Sequence, residues 1–228
     1  MSGKPPARPQ IPFPLRRHVS RCAALGMLLA APLLLGACQT NAPGEMRSAH
    51  SDEQGARATT TFSAAGHDIG VTYDATLERI DAPDEGYFDD GSWKFNGGDD
   101  GERLLTLALP DSDEITTGLW RLGASRNATA VENCTDRPAH ADASTAETAR
   151  IGGQDFVSFT VGDAGMSHFQ SIEAYRAVVD DTCYAIDLIV QGTRGEVYDP
   201  PRPSPFTRDE AMTLLRTINA GVSFSPGP

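Results

Sequence analysis

The chain has 228 residues, 31 acidic against 19 basic, and a formal charge of −12. All five basic residues before Met46 lie within the first 37, so a chain lacking that segment carries −17. Such a surface repels phosphate backbones and anionic head groups, which excludes a nucleic-acid partner.

Residues 22–37 read CAALGMLLAAPLLLGA, a sixteen-residue apolar run. A spanning helix needs about 20 apolar residues, and Pro32 interrupts this one. Upstream lie Lys4, Arg8, Arg16, Arg17 and Arg21, with no acid before Glu45. A basic segment, a short apolar segment and a small-residue stop are the layout of an export signal. The stop, Leu35-Gly36-Ala37-Cys38, resembles a bacterial lipobox. The resemblance implies a diacylglycerol on the Cys38 thiol, cleavage before it, and acylation of the new amino group. One acyl chain binds a bilayer marginally, and two or three anchor stably. The competing reading is an uncleaved signal anchor. Gln39 follows the cysteine where, in Gram-negative lipoproteins, an inner-membrane retention signal would place aspartate, so in a Gram-negative cell the expected location is the outer membrane facing the periplasm.

Four cysteines then have separate fates. Cys22 leaves with the signal and Cys38 takes lipid. Cys134 and Cys183 remain as an even pair in an oxidising compartment, the expected disulfide. It closes a loop of about 50 residues, a stabilisation of about 4 kcal/mol by chain entropy. A reactive or metal-binding pair is the alternative, without CxxC spacing to support it.

Three segments follow from composition: a lipoprotein signal over 1–37, a lipidated cysteine and flexible tether over 38–66, and a folded domain over 67–228. The stretch 39–66 is small and polar, as a disordered tether is, with an r.m.s. reach of about 30 Å. The rest suits one domain with one core. Ile69, Val71 and Tyr73 alternate, as do Leu105, Leu107 and Leu109. Phe156, Phe159 and Val161 alternate imperfectly, Ala174 and Ala177 flank "AYRAVV", and Tyr184, Ile186, Leu188 and Val190 alternate cleanly. Alternation argues strands with one buried face. "FNGGDDGE" (95–102) predicts the turn of a hairpin between Trp93-Lys94-Phe95 and the Leu105 strand. The stretch 132–152 predicts a long loop. "DPPRPSP" (199–205) cannot pair in a sheet and is a connector. Thr207 with Glu210 predicts a capping box. Met212, Leu215 and Ile218 follow at helical spacing and Leu214 widens the stripe, Gly221 ends the helix, and Val222-Ser223-Phe224 is a last strand. The fold class is α+β, one antiparallel sheet with a C-terminal helix packed on it.

"YDATL", "IGGQDFVSFTVGDAGMSH" with "YRAVVDDTCYAIDL", and "FTRDEAMTLLRTINAGVSF" resemble a group of uncharacterised bacterial envelope proteins of the Mog1/PsbP-like sandwich type. The resemblance implies an antiparallel sheet against helices and carries over no catalytic residue.

Chemistry-bearing motifs are few. His67, His140 and His168 have no pairwise spacing of two, three or four, and HExxH and CxxC are absent, so no zinc site is expected. There is no GxSxG elbow, Walker loop or GxGxxG, and no cofactor is expected. Ser167 and His168 adjoin near Asp163, but adjacent residues on a strand point opposite ways, so a polar loop is the plainer reading. The acidic stretch 81–102 holds Asp89, Asp90, Asp99 and Asp100, weak calcium candidates, together with Tyr87, Phe88, Trp93 and Phe95. Aromatics beside carboxylates can hold cations or sugars. Solvated turns around a packed hairpin core are the plainer expectation. Asn127-Ala128-Thr129 matches a glycosylation sequon, which a bacterial origin discounts.

Two functional classes follow. The first is a non-catalytic envelope lipoprotein that binds another envelope component, a basic protein by charge. The second is an envelope hydrolase whose site assembles only in three dimensions.

Overall fold

A computed structural model describes residues 57–81, 91–98, 100–142 and 146–225. The α+β class holds: antiparallel strands with a C-terminal helix packed on them. The strands divide between two sheets rather than one. The smaller joins β1 (Thr59–Ser63), β2 (Ile69–Asp74) and β10 (Val222–Phe224) in the order β1-β2-β10. The larger has seven strands: β3 (Glu78–Arg79), β4 (Glu102–Ala108), β5 (Thr117–Ser125), β6 (Glu147–Ile151), β7 (Gln154–Gly165), β8 (His168–Val179) and β9 (Thr182–Thr193). Their order is β3-β4-β5-β9-β8-β7-β6, all pairs antiparallel. A short helix α1 (Ala128–Glu132) follows β5, and α2 (Arg208–Ile218) precedes β10.

Period-two alternation assigns the two faces of the large sheet. Leu105 and Leu107 of β4, Trp120 and Leu122 of β5, and Ile186 and Leu188 of β9 share one core. Ile69, Val71 and Tyr73 of β2 join it, so the small sheet covers part of this face. Helix α2 covers another part with Ala211, Met212, Leu215 and Ile218. Thr207 caps the helix: its hydroxyl accepts from the Glu210 amide while the Glu210 carboxylate accepts from the Thr207 amide and hydroxyl. The capped end fixes where α2 starts, and burial of Leu215 fixes which way it faces. Asn219, at the helix end, accepts from the Trp120 indole nitrogen at 2.8 Å.

The opposite face is covered by α1 and by residues 91–98. Here the expected hairpin is corrected. Trp93-Lys94-Phe95 form no strand; the segment crosses the sheet as irregular backbone. A Cβ on Gly123 of β5 would lie 2.0 Å from the Trp93 carbonyl oxygen, so the segment reaches the sheet only because residue 123 is glycine. The cue was ambiguous because an aromatic-polar-aromatic triplet buries equally well on a strand or on a loop lying across one. Trp93 packs with Ala130 and Ala185 around the Cys134–Cys183 pair, and Phe95 packs beside Phe159 and Ile172.

Three further boundaries differ from the sequence expectation. Strand β1 lies inside the stretch expected to be tether. Four of its five residues are exposed, so hydrogen bonding to β2 holds it without an apolar stripe. Strand β6 lies inside the expected loop 132–152 and pairs only with the start of β7. The central strand β5 carries no clean apolar alternation because Arg121 and Gly123 face the second side.

Candidate functional site

The residues that bear chemistry fall into three places. Cys134 and Cys183 are bonded, with Cα atoms 5.6 Å apart, and tie the end of α1 to the start of β9. Asp100 accepts from the Trp93 indole nitrogen at 3.0 Å. Cys38, Asp89, Asp90 and Asp99 lie outside the described residues. Among the described residues no group of three or more His, Cys, Asp or Glu side chains is placed to hold a metal ion, and no helix is long and apolar enough to cross a membrane.

Ser167 and His168 lie at the turn between β7 and β8. Met166 and Ser167 form the left-handed turn of the β7–β8 hairpin, at φ of 49° and 74°. The Ser167 carbonyl accepts from the Arg194 amide at 2.9 Å, and His168 Nδ1 lies 3.1 Å from the Thr193 hydroxyl. Asn127, the sequon residue, is the N-cap of α1 and accepts from the Thr129 and Ala130 amides.

The second place was not singled out by motif. Arg121 of β5, Asp187 of β9 and Arg176 of β8 are neighbours across the sheet, on the face that 91–98 covers. Asp187 is fully buried, Arg176 is 1% exposed and Arg121 6%. Asp187 Oδ2 accepts from Arg121 Nη2 at 3.0 Å and from the Phe95 amide at 2.7 Å. Arg176 Nη1 lies 2.7 Å from Asp187 Oδ1, but its hydrogens point at the carbonyls of Tyr175 (2.9 Å) and Ile186 (3.3 Å). Burial alone would raise the Asp187 pKa; the guanidiniums of Arg176 and Arg121, with the Phe95 amide, outweigh it and hold the carboxyl below its ordinary value. Lys94 sits over the Trp93 ring at 4.8 Å, and its amine is pushed down by burial and by Arg176. Sequence carries one trace of this cluster: Asp187 interrupts "YAIDLIV", a run apolar on both sides, and an acid there requires a buried counter-charge.

The third place is a cleft of about 400 Å³ between α2 and the β7–β8 ribbon. Ser171 and Glu173 of β8 line one side and Arg208, Asp209 and Arg216 of α2 the other, and Asp142 also lines it. Glu173 accepts from Arg216 Nε at 2.9 Å and from its Nη2, a two-pronged pair that fastens α2 to β8. The Tyr175 hydroxyl donates to the same carboxylate at 3.0 Å. Burial and the Glu173 charge push the Tyr175 phenol above its ordinary pKa, so it stays protonated at neutral pH. Glu173, Arg216 and Tyr175 are therefore bonded to one another.

No family model matches the chain, and no curated protein matches it. Among solved structures, the chain is similar to a protein of Bacteroides thetaiotaomicron at 12% identity and a TM-score of 0.43. That likeness covers 73% of this chain and 48% of the other, so the chain spans about half the length of its neighbour. It is similar also to LpqN of Mycobacterium tuberculosis, described as involved in cell envelope biogenesis, at 12% identity and a TM-score of 0.30, over 57% of this chain and 80% of that one.

Proposed function

We propose that the chain is a bacterial cell-envelope lipoprotein whose domain binds a partner rather than transforming a substrate. The observation that carries the anchoring is Leu35-Gly36-Ala37-Cys38 behind a basic, then apolar, leader. The bonded Cys134–Cys183 pair supports an oxidising compartment, where such a bond persists. The binding reading is supported by the α2 cleft. Of its carboxylates, Glu173 is engaged by Arg216 and Tyr175 and Asp209 by Arg208, which stiffens the walls more than it readies a base. The acidic excess favours a partner with a basic surface, whose association weakens as salt screens the attraction. Gln39 favours the outer membrane.

Two measurements test this. Labelled palmitate enters the wild-type protein, and Cys38→Ala abolishes both labelling and maturation; equal labelling of the variant refutes the anchor. A pull-down from detergent-solubilised envelope, repeated at rising salt beside a hydrolase substrate panel, tests the binding. Reproducible turnover removed by one polar substitution in the α2 cleft would replace the binding reading with a hydrolase.

A further inference from the structure

A second hollow, of about 410 Å³, lies where the end of β9 meets the proline-rich connector to α2. Phe169, Pro201, Pro203 and Phe206 give it apolar walls. The shape is built in rather than left to chance. Proline fixes φ along the connector. The Arg202 amide donates to the Gly195 carbonyl at 3.1 Å, and a Cβ on Gly195 would lie 1.9 Å from the Arg202 carbonyl oxygen. Only glycine there lets the connector close this tightly. The Thr116 and Ser204 hydroxyls, 2.7 Å apart, tie the connector to the residue before β5.

Charge at this hollow runs against that of the chain. Three arginines, Arg194, Arg202 and Arg208, line it beside one carboxylate, Glu196. Two of them are engaged. Arg202 pairs with Glu114 and stacks on the Tyr198 ring at 5.2 Å, and Arg208 pairs with Asp209 at 3.0 Å. The Arg194 guanidinium is exposed and has no ion-pair partner among the described residues. A hollow of this size, apolar with a few convergent polar groups, is of small-molecule dimensions. A free guanidinium at its edge selects carboxylate or phosphate oxygens.

We infer that this hollow takes a small amphipathic anion, its carboxylate or phosphate head on Arg194 and its apolar body between Phe169, Phe206 and the connector prolines. The inference goes beyond the anchoring and partner-binding reading by naming a ligand class. It stands whether or not Cys38 is acylated.

The test uses the full purified chain in equilibrium dialysis against labelled benzoate, with benzamide as the neutral isostere and inorganic phosphate as a head without a body. Benzoate is retained and benzamide is not. Arg194→Gln weakens benzoate about tenfold, the loss of one charge-assisted pair. Arg194→Lys recovers part of it, and Arg150→Gln, on β6, changes nothing. Because residue 194 is exposed, these variants keep the fold, and an unchanged thermal midpoint checks that. Failure to retain benzoate, equal retention of benzamide, or equal affinity in Arg194→Gln would overturn the inference. Phosphate displacing benzoate as well as benzoate itself would overturn the apolar half. None of these outcomes bears on palmitate labelling, so the two readings fail separately.

Discussion

Asp187→Asn keeps the shape of the side chain and removes its charge, which isolates what that charge does. In the wild type one fully buried carboxylate lies between two guanidiniums that are 1% and 6% exposed. Breaking a buried ion pair by deleting one partner costs about 3–5 kcal/mol, because the remaining charge stays in the interior. Here one deletion leaves two guanidiniums without their shared carboxylate, so the expected loss is at the upper end, about 4–5 kcal/mol. The Phe95 amide also loses a charged acceptor. The 91–98 segment should loosen with it, and Trp93, 2% exposed, should become wetter. The sign of the pH effect follows from the depressed Asp187 pKa. A depressed carboxyl contributes stability that is complete above its unfolded value, about 3.9, and is lost as pH falls through the lower folded value. The wild type therefore loses this contribution below about pH 4, and Asp187→Asn shows a flatter acid limb. Urea denaturation followed by tryptophan fluorescence, at neutral pH and at several acidic values, measures both effects. A loss under about 1 kcal/mol at neutral pH, with an unchanged acid limb, would refute the reasoning.

Three other outcomes follow from the packing. Replacing Cys134 and Cys183 together by alanine opens a loop spanning 49 positions and lowers stability by about 4 kcal/mol by chain entropy, read as a lower urea midpoint. Gly123→Ala drives a Cβ into the Trp93 carbonyl, at a cost of about 1–3 kcal/mol, and red-shifts tryptophan emission as the 91–98 segment lifts; unchanged emission would contradict the close approach. Thr207→Ala removes the α2 cap and costs about 1 kcal/mol, seen as a lower thermal midpoint with faster amide exchange in the first turn of α2.

What sequence shows of this fold depends on how locally each element is determined. Strand β9 is plain because Tyr184, Ile186, Leu188 and Val190 all face one core. Helix α2 is plain because Thr207, Glu210 and the apolar stripe are set by their own turn geometry. Strands β1 and β6 are hard to see because they lie at sheet edges and are mostly exposed, so no alternation marks them. Strand β5 is hidden for the opposite reason. It is buried on both faces, and the second face is filled by Arg121 and Gly123, whose roles depend on Asp187 and Trp93 far along the chain. The hollow at Arg194 is invisible in sequence for the same reason: the β9 end, the β8 start and the connector meet only in space.

The arginine clusters bear on the surface that the proposed partner would meet. The chain is poor in basic residues, and the fold places many of those it has against its own carboxylates. Arg121 and Arg176 are buried on Asp187, Arg216 is fastened to Glu173, and Arg202 to Glu114. A cation matched one to one with a carboxylate, as Arg216 and Arg202 are, contributes little field beyond its partner, whereas an exposed carboxylate without a cation contributes its full field within a Debye length, about 8 Å at physiological salt. The surface is thus more uniformly acidic than a count of charges implies, and Arg194 is a local exception within it. The proposed basic partner is drawn to the first and the proposed small anion to the second, so on these two readings the modes of binding occupy different surfaces of one domain.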